Sequence, residues 1–217
     1  MLQPFFDKGN PAVGIYSKID GNHIRLIAQG DDAGFLLDTA EKELEELLTP
    51  YIWGKGEDTL DGVIGTLLQQ RGLTIATMED GTGGLLANII TGDPQSPRYY
   101  MGSIVSNSEN LATDCGVPSE IIERHGAISA EAAEAMAATV KERFAADIGI
   151  STTNIIKSKS PTGSQPGLTY VGIADKNGTR SWQQNFPATR EDTRNRMAIA
   201  ALFRLRERLL EIESLGR

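Results

Sequence analysis

Two acidic residues beside a glycine-rich stretch are the part of this sequence whose residue types could do chemistry. Glu79 and Asp80 stand directly before residues 81–84, which read Gly-Thr-Gly-Gly. Adjacent carboxylates can share acid and base roles when their surroundings separate their pKa values. Because neighbours along the chain often point apart, two solvated surface charges are the alternative interpretation.

The glycines suggest a second kind of site, in which the backbone itself binds a ligand. The stretch lies between a predicted strand at 73–78 and a predicted helix at 85–90. Helix N-terminal amides are unpaired donors, and open α/β sheets bind ligands at the carboxyl ends of strands. An anion or nucleotide cradle is one interpretation, and a tight connection that needs glycine for its turn is the other. The carboxylate of Asp80 would repel a phosphate there, and the lysine and spacing of a P-loop are missing.

The other reactive residue types form no catalytic or metal-binding pattern. His23 and His125 have no partner at metal-ligand spacing, and the single cysteine, Cys115, stands in an apolar segment typical of a buried structural thiol. The sequence therefore predicts no metal site and no cofactor, and one cysteine allows no disulfide within the chain.

Composition narrows the classes of partner. The 217 residues are 40% apolar and 23% charged, which is ordinary for a globular fold, and the net charge of −8 disfavours broad binding to nucleic acid. Because no apolar run reaches the roughly 20 residues of a membrane span and the first residues lack a secretion-signal pattern, we expect a cytoplasmic protein with no membrane partner.

Strand and helix signals alternate along most of the chain and predict an α/β protein. We expect a small α/β unit in residues 1–55, with a helix capped by Asp38, and a main domain in residues 56–217. The main domain should have three layers, α/β/α, around a mainly parallel sheet with a C-terminal hairpin at 168–186. Ser129 should cap a helix that runs to about Ala146.

Four segments, taken in order, carry a family resemblance. Residues 73–84 read LTIATMEDGTGG, residues 116–117 read GV, residues 126–129 read GAIS ahead of an AMA, and residues 186–194 read FPATREDTR. They resemble the segments tlatAESCTGG, GV, GAVS with MA, and FPGdRxxVR of the CinA family, whose C-terminal domain is a nicotinamide mononucleotide deamidase. Residues 10–53 resemble the small KH-like connecting domain of its longer members.

On this resemblance, the family's reactive positions carry other residues here. The serine implied to attack the amide is replaced by Asp80, and the tyrosine and lysine of the family's GxVxYSNxxK fall on Ser106 and Leu111. The cysteine after the serine is a glycine, and the family's TGIAGP falls on residues 153–158. The resemblance implies that the ligand-binding residues are Glu79, Gly81, Thr82, Gly83, Gly84, Asn107 and Thr153.

The substitutions favour a degenerate active site. Amide hydrolysis needs a nucleophile, a base and donors for the oxyanion, and Leu111 can neither donate nor accept a proton. We therefore expect a nucleotide-binding or assembly protein, with a pyridine nucleotide as ligand and a second copy of the chain as partner in a homodimer. An active amidohydrolase in which Asp80 or Glu79 activates water is the alternative, and a structural partner without a ligand is the third interpretation.

Overall fold

The computed structural model describes residues 2–106, 109–154, 167–186 and 190–215 and divides the chain into two compact units. The units are Met1–Leu60 and Asp61–Arg217, so the division follows residue 60, whereas the sequence placed it after residue 55. Among the described helices, none is both long and apolar enough to cross a membrane.

The first unit is a hairpin with two helices. Helix α1 (Gln3–Lys8) precedes β1 (Ala12–Lys18) and β2 (Gly21–Ile27), which pair antiparallel across the predicted turn, and α2 (Ala33–Leu48) follows. The predicted start of this last helix was wrong, because it begins five residues before Asp38. Its inward-facing stripe of Ala33, Leu37, Ala40 and Leu44 extends back past Asp38, whose side chain is exposed on the opposite face.

The second unit is built on a five-stranded mixed sheet in the order β4-β3-β5-β6-β7. Strand β3 pairs parallel with β4 and β5, and the other two pairings are antiparallel, so four of the five strands run in one direction. The predicted C-terminal hairpin is formed by β6 and β7. The bounds are β3 (Ile75–Asp80), β4 (Tyr100–Ser106), β5 (Ile148–Asn154), β6 (Leu168–Asp175) and β7 (Gly178–Asn185).

Helices cover both faces of this sheet and give the three layers that the sequence predicted. One face carries α7, and the other carries α4 and α8. Ser129 accepts a hydrogen bond from the amide of Ala132 and so caps α7 as predicted, but this helix ends at Arg143, because Ala145 takes a left-handed conformation with φ 49°. The bounds are α3 (Leu60–Arg71), α4 (Leu85–Ile90), α5 (Glu109–Asp114), α6 (Ser119–His125), α7 (Ala130–Arg143) and α8 (Arg190–Leu215).

The C-terminal helix α8 buries one row of large apolar side chains inside the fold. Met197, Leu202, Leu205 and Leu209 are all completely buried in the single chain. These four side chains are therefore not available to a second copy of the chain, whereas Ile199, Phe203 and Leu210 are only partly buried. Self-association stays a prediction of the family resemblance.

Strand β3 is displaced by two residues from its predicted position at 73–78. The amide of Leu73 still bonds to the carbonyl of Leu68 at the end of α3, and the strand continues to Asp80, which pairs in register with Ser106. This shift matters for function because it places Glu79 and Asp80 within the strand rather than in the following loop.

Glycines let helix α7 lie directly on the sheet. A Cβ at Gly149 would lie 1.9 Å from the carbonyl oxygen of Ala137, and one at Gly172 would lie 2.2 Å from that of Ala133. The helix backbone therefore occupies the space that side chains would need, which fixes β5 and β6 against α7.

Candidate functional site

Glu79 is fully buried, and its carboxylate caps the start of α4. Its Oε2 accepts hydrogen bonds from the hydroxyl of Thr82 at 2.7 Å and from the amides of Gly84 and Leu86, each at 3.0 Å. Its Oε1 accepts from the amide of Ala87 at 2.8 Å. One carboxylate thus satisfies three amides that a helix N-terminus leaves without a partner, and it does so at the positive end of the helix dipole.

This cap changes what residues 81–84 can bind. The sequence suggested that the amides at the start of α4 would face an external anion, but those of Gly84, Leu86 and Ala87 already bond to Glu79. Because Glu79 is buried with donors on both oxygens, it serves the protein's own backbone rather than a ligand or an attacking water.

Thr82 is also committed to the fold. Its hydroxyl donates to Glu79 and accepts from the hydroxyl of Thr152 on β5 at 3.0 Å, and only 2% of the residue is exposed. The loop after β3 is therefore tied to the neighbouring strand as well as to α4. Of residues 81–84, Gly83 alone is exposed.

The structure brings Asp80 and Ser106 together. They are register partners on β3 and β4, so the positions that the resemblance assigns to the family's serine and tyrosine are neighbours. Ser106 is 1% exposed. Asn107 lies outside the described residues, and Leu111 lies in α5, where its side chain is outside the described part.

Thr153 lies at the end of β5, but its side chain is on the face of the sheet opposite to the one that Glu79 occupies. It is fully buried, and its hydroxyl donates to the carbonyl of Ala127 at 2.9 Å. The side chain of Thr153 is thus engaged on the side of the sheet that α7 covers. Its neighbour Asn154 takes the face shared with Glu79.

Gly81 and Asn154 are closely fitted across the ends of β3 and β5. A Cβ at Gly81, which has φ +92°, would lie 1.9 Å from Oδ1 and 2.6 Å from Cγ of Asn154. Asn154 is 5% exposed, and neither its Oδ1 nor its Nδ2 has a hydrogen-bond partner in the described structure. Sequence reasoning missed Asn154, because an asparagine at a strand end is ordinarily a turn residue.

Arg194 of α8 supplies a positive charge beside the same loop. Its Nε donates to the carbonyl of Gly81 at 2.9 Å, and its Nη2 lies 3.4 Å from where a Cβ of Gly83 would be. Arg194 is the last residue of the segment 186–194 that carries the family resemblance, and its sequence position assigned it no role. No spacing rule could have linked it to the loop, since 113 residues separate Arg194 from Gly81.

The structure gives the two histidines and the cysteine contacts of their own. His23 bonds to Asp20 in the first unit, His125 lies 3.4 Å from Glu131, and Cys115 packs against the apolar cluster beneath α7. Within the described residues, no group of three or more histidine, cysteine, aspartate and glutamate side chains could hold a metal ion. The glycines after β3 are flanked by the carboxylate of Glu79, the amide of Asn154 and the guanidinium of Arg194.

Comparison with known proteins identifies the family. Residues 57–209 match the CinA C-terminal domain. This chain belongs to the CinA family. It is 34% identical, over 96% of its length, to a CinA-like protein of Rippkaea orientalis, and 37% identical, over 93%, to a putative competence-damage inducible protein of Clostridium tetani. It spans about half the length of these relatives, 52% and 50%.

Solved CinA structures share the fold. A CinA superfamily protein from Klebsiella pneumoniae superposes with a TM-score of 0.68 at 21% identity, over 70% of this chain and 96% of that one. The competence/damage inducible protein CihA from Agrobacterium tumefaciens gives 0.63 at 26% identity, over 67% and 91%. The predicted CinA family and α/β fold are thus confirmed, and the KH-like nature of the first unit stays a prediction.

Proposed function

We propose that this CinA-type protein binds a pyridine nucleotide at the carboxyl ends of β3 and β5 and leaves the amide of its ligand intact. The position of Asp80 supports the second part of this proposal, that the amide is not hydrolysed. Because Glu79 is held by α4, the register of β3 is fixed, and Asp80 is the residue at the strand end where the family resemblance implies a serine.

The absence of a hydroxyl at Asp80 weighs against amide hydrolysis. A serine can take an acyl group as an ester, whereas an aspartate would form an anhydride and would need a new acid to protonate the leaving ammonia. Ser106, which replaces the family's tyrosine beside this position, is 1% exposed and has no phenol to relay a proton. Losing a nucleophile and its activator typically removes about a million-fold in rate.

Ligand binding has its own support at the same strand ends. The guanidinium of Arg194 is a cation beside Gly81 and Gly83, and arginine binds phosphate with a planar set of donors. The amide of Asn154 carries a donor and an acceptor that no described residue satisfies. Gly83, which is exposed, lets a ligand approach the backbone beside Arg194 closely. This combination suits a molecule with both a phosphate and a planar polar ring.

An active hydrolase is the second candidate, and the partial exposure of Asp80 favours it. A half-buried carboxylate can act as a general base toward water, whereas Glu79 is fully buried and hydrogen-bonded on both oxygens. The two candidates differ in their product, because only hydrolysis releases ammonia.

Thermal unfolding with nicotinamide mononucleotide tests the proposal. Ligand that binds the folded state alone should raise the melting temperature as its concentration rises, while an ammonia assay on the same samples stays at background. A melting temperature that does not respond would favour a purely structural protein. Ammonia release that disappears in Asp80→Ala would favour the hydrolase.

A matched pair of arginine variants locates the binding. Arg194→Met removes the cation beside Gly81 and should weaken affinity about tenfold, the scale of one charge-assisted hydrogen bond. Arg196→Met removes an exposed arginine two residues along the same helix and should leave affinity unchanged. Equal effects of the two substitutions would place the ligand elsewhere.

A further inference from the structure

The amide of Asn154 is unusual because both of its polar atoms are buried and unsatisfied. Its Oδ1 and Nδ2 have no hydrogen-bond partner in the described part of the chain, and 5% of the residue is exposed. Most buried side-chain polar atoms in folded proteins have a partner, because desolvating them without one is unfavourable. A group kept in this state is a candidate for binding something that the chain itself does not provide.

The fit between Asn154 and Gly81 shows that this amide is built into the site. Any side chain at position 81 would overlap the amide, since a Cβ there would lie 1.9 Å from Oδ1. A carboxamide therefore stands directly against the loop after β3, and the missing side chain of Gly81 leaves the room that it occupies.

We infer that Asn154 determines ligand specificity by pairing its amide with a primary carboxamide on the ligand. The inference rests on the proposed binding function. Oδ1 needs a donor and Nδ2 needs an acceptor, and a primary carboxamide offers both side by side in one plane. A carboxylate offers acceptors alone, so it would leave Oδ1 facing a negatively charged oxygen.

Isothermal titration with two ligands that differ at one group tests this pairing. Nicotinamide mononucleotide carries the carboxamide, and nicotinate mononucleotide carries a carboxylate on the same ring, ribose and phosphate. The wild-type chain should bind the amide form at least about tenfold more tightly, which corresponds to about 1.4 kcal/mol. Asn154→Leu, which keeps the number and branching of the side-chain heavy atoms without polar groups, should bring the two affinities within about twofold of each other.

The leucine variant also has a readout that needs no ligand. Because it removes an unsatisfied buried amide, it should raise the melting temperature of the free protein by about 2–4 °C. Asn154→Asp retains the shape and loses the donor, so it should weaken binding of the amide form, and it replaces the leucine variant if that chain does not fold. Asn88→Ala, at an exposed position of α4, should change neither the preference nor the melting temperature by a comparable amount.

The outcomes separate the two proposals. Equal affinity of the wild type for both ligands would refute the role of Asn154 and leave the binding function standing. An unchanged preference in Asn154→Leu, or a lower melting temperature of that variant, would also refute it. Failure of both ligands to bind at any concentration tested would overturn the proposed function, and the inference with it.

Discussion

At the scale of single residues, Glu79 makes the largest set of side-chain hydrogen bonds described for the site. Its buried carboxylate receives four hydrogen bonds, three of them from backbone amides that cannot turn elsewhere. Glu79→Gln replaces one accepting oxygen with an NH₂ group that would face those donors. We expect it to lower the free energy of unfolding by about 2–3 kcal/mol, the scale of lost hydrogen bonds to a charged group.

Denaturant unfolding of Glu79→Gln measures this loss. Glu142→Gln makes the same chemical change at an exposed position near the end of α7 and should alter stability by less than about 0.5 kcal/mol. If the two variants unfold alike, the glutamate does not anchor α4, and the fixed register of Asp80 loses its physical basis.

At the scale of elements, the contact of α7 with the sheet depends on the two strand glycines beneath it. Gly149→Ala would put a methyl group 1.9 Å from the carbonyl oxygen of Ala137, and a helix backbone cannot rotate aside as a side chain can. Strand β5 and α7 would have to separate, which should destabilise the second unit by about 2 kcal/mol or more.

Thermal unfolding with a second glycine variant checks this expectation. Gly14→Ala is the control, since it lies in a strand where the nearest atom, on Tyr16, is 3.8 Å from the new Cβ. That variant should unfold within about 0.5 kcal/mol of the wild type. A Gly149→Ala protein of undiminished stability would show that the helix does not rest on the strand as closely as described.

Local signals were enough to predict most of the elements, but not the geometry of the site. The turn between β1 and β2, the cap at Ser129 and the C-terminal hairpin are each encoded within a few neighbouring residues, and all three were predicted. The two-residue shift of β3 was missed because strand ends are fixed by pairing with β4 and β5 rather than by local propensity.

That shift decides what the acidic pair does. Within the strand, Glu79 faces α4 and Asp80 reaches the strand end, whereas in the predicted loop both carboxylates were open to solvent or ligand. The contact of Arg194 with Gly81 and the fit of Asn154 over that glycine join distant parts of the chain. The sequence therefore indicated the acidic pair and the glycines, but not the residues from distant segments that lie against them.

At the scale of the whole molecule, a buried ion pair at the end of β6 makes stability depend on pH. Nε of Arg208 donates to Asp175 at 2.5 Å and Nη2 at 3.1 Å, and the pair is almost completely buried. Burial acts to raise the pKa of Asp175, but hydrogen bonds from Arg208 and the amide of Asn177, with the charges of Arg208 and Arg180, hold it below its ordinary value of 3.8.

The sign of the pH effect follows from that lowered pKa. A carboxylate with a lower pKa in the folded state stabilises the fold above its unfolded pKa, and this contribution is lost as the pH falls through the folded pKa. Asp175→Asn should therefore cost about 3 kcal/mol near neutral pH, since it leaves the Arg208 charge without its buried partner. The difference from the wild type should shrink below about pH 4.

Urea unfolding across pH measures this difference. The exposed pair of Arg204 and Glu207 provides the control, and Glu207→Gln should change stability by less than about 1 kcal/mol at any pH. A cost of Asp175→Asn that stays constant down to pH 2 would contradict the coupling of this ion pair to folding.

We propose that the strand ends around Asp80 bind a pyridine nucleotide and do not hydrolyse it. Proton NMR of nicotinamide mononucleotide mixed with the protein follows both events in one sample over a day. We predict that the ligand signals broaden and shift in proportion to added protein, less so with Arg194→Met, while no signals of nicotinate mononucleotide accumulate. Steady formation of the acid at a rate that scales with protein and vanishes in Asp80→Ala would contradict the claim, as would ligand signals that never respond to the protein.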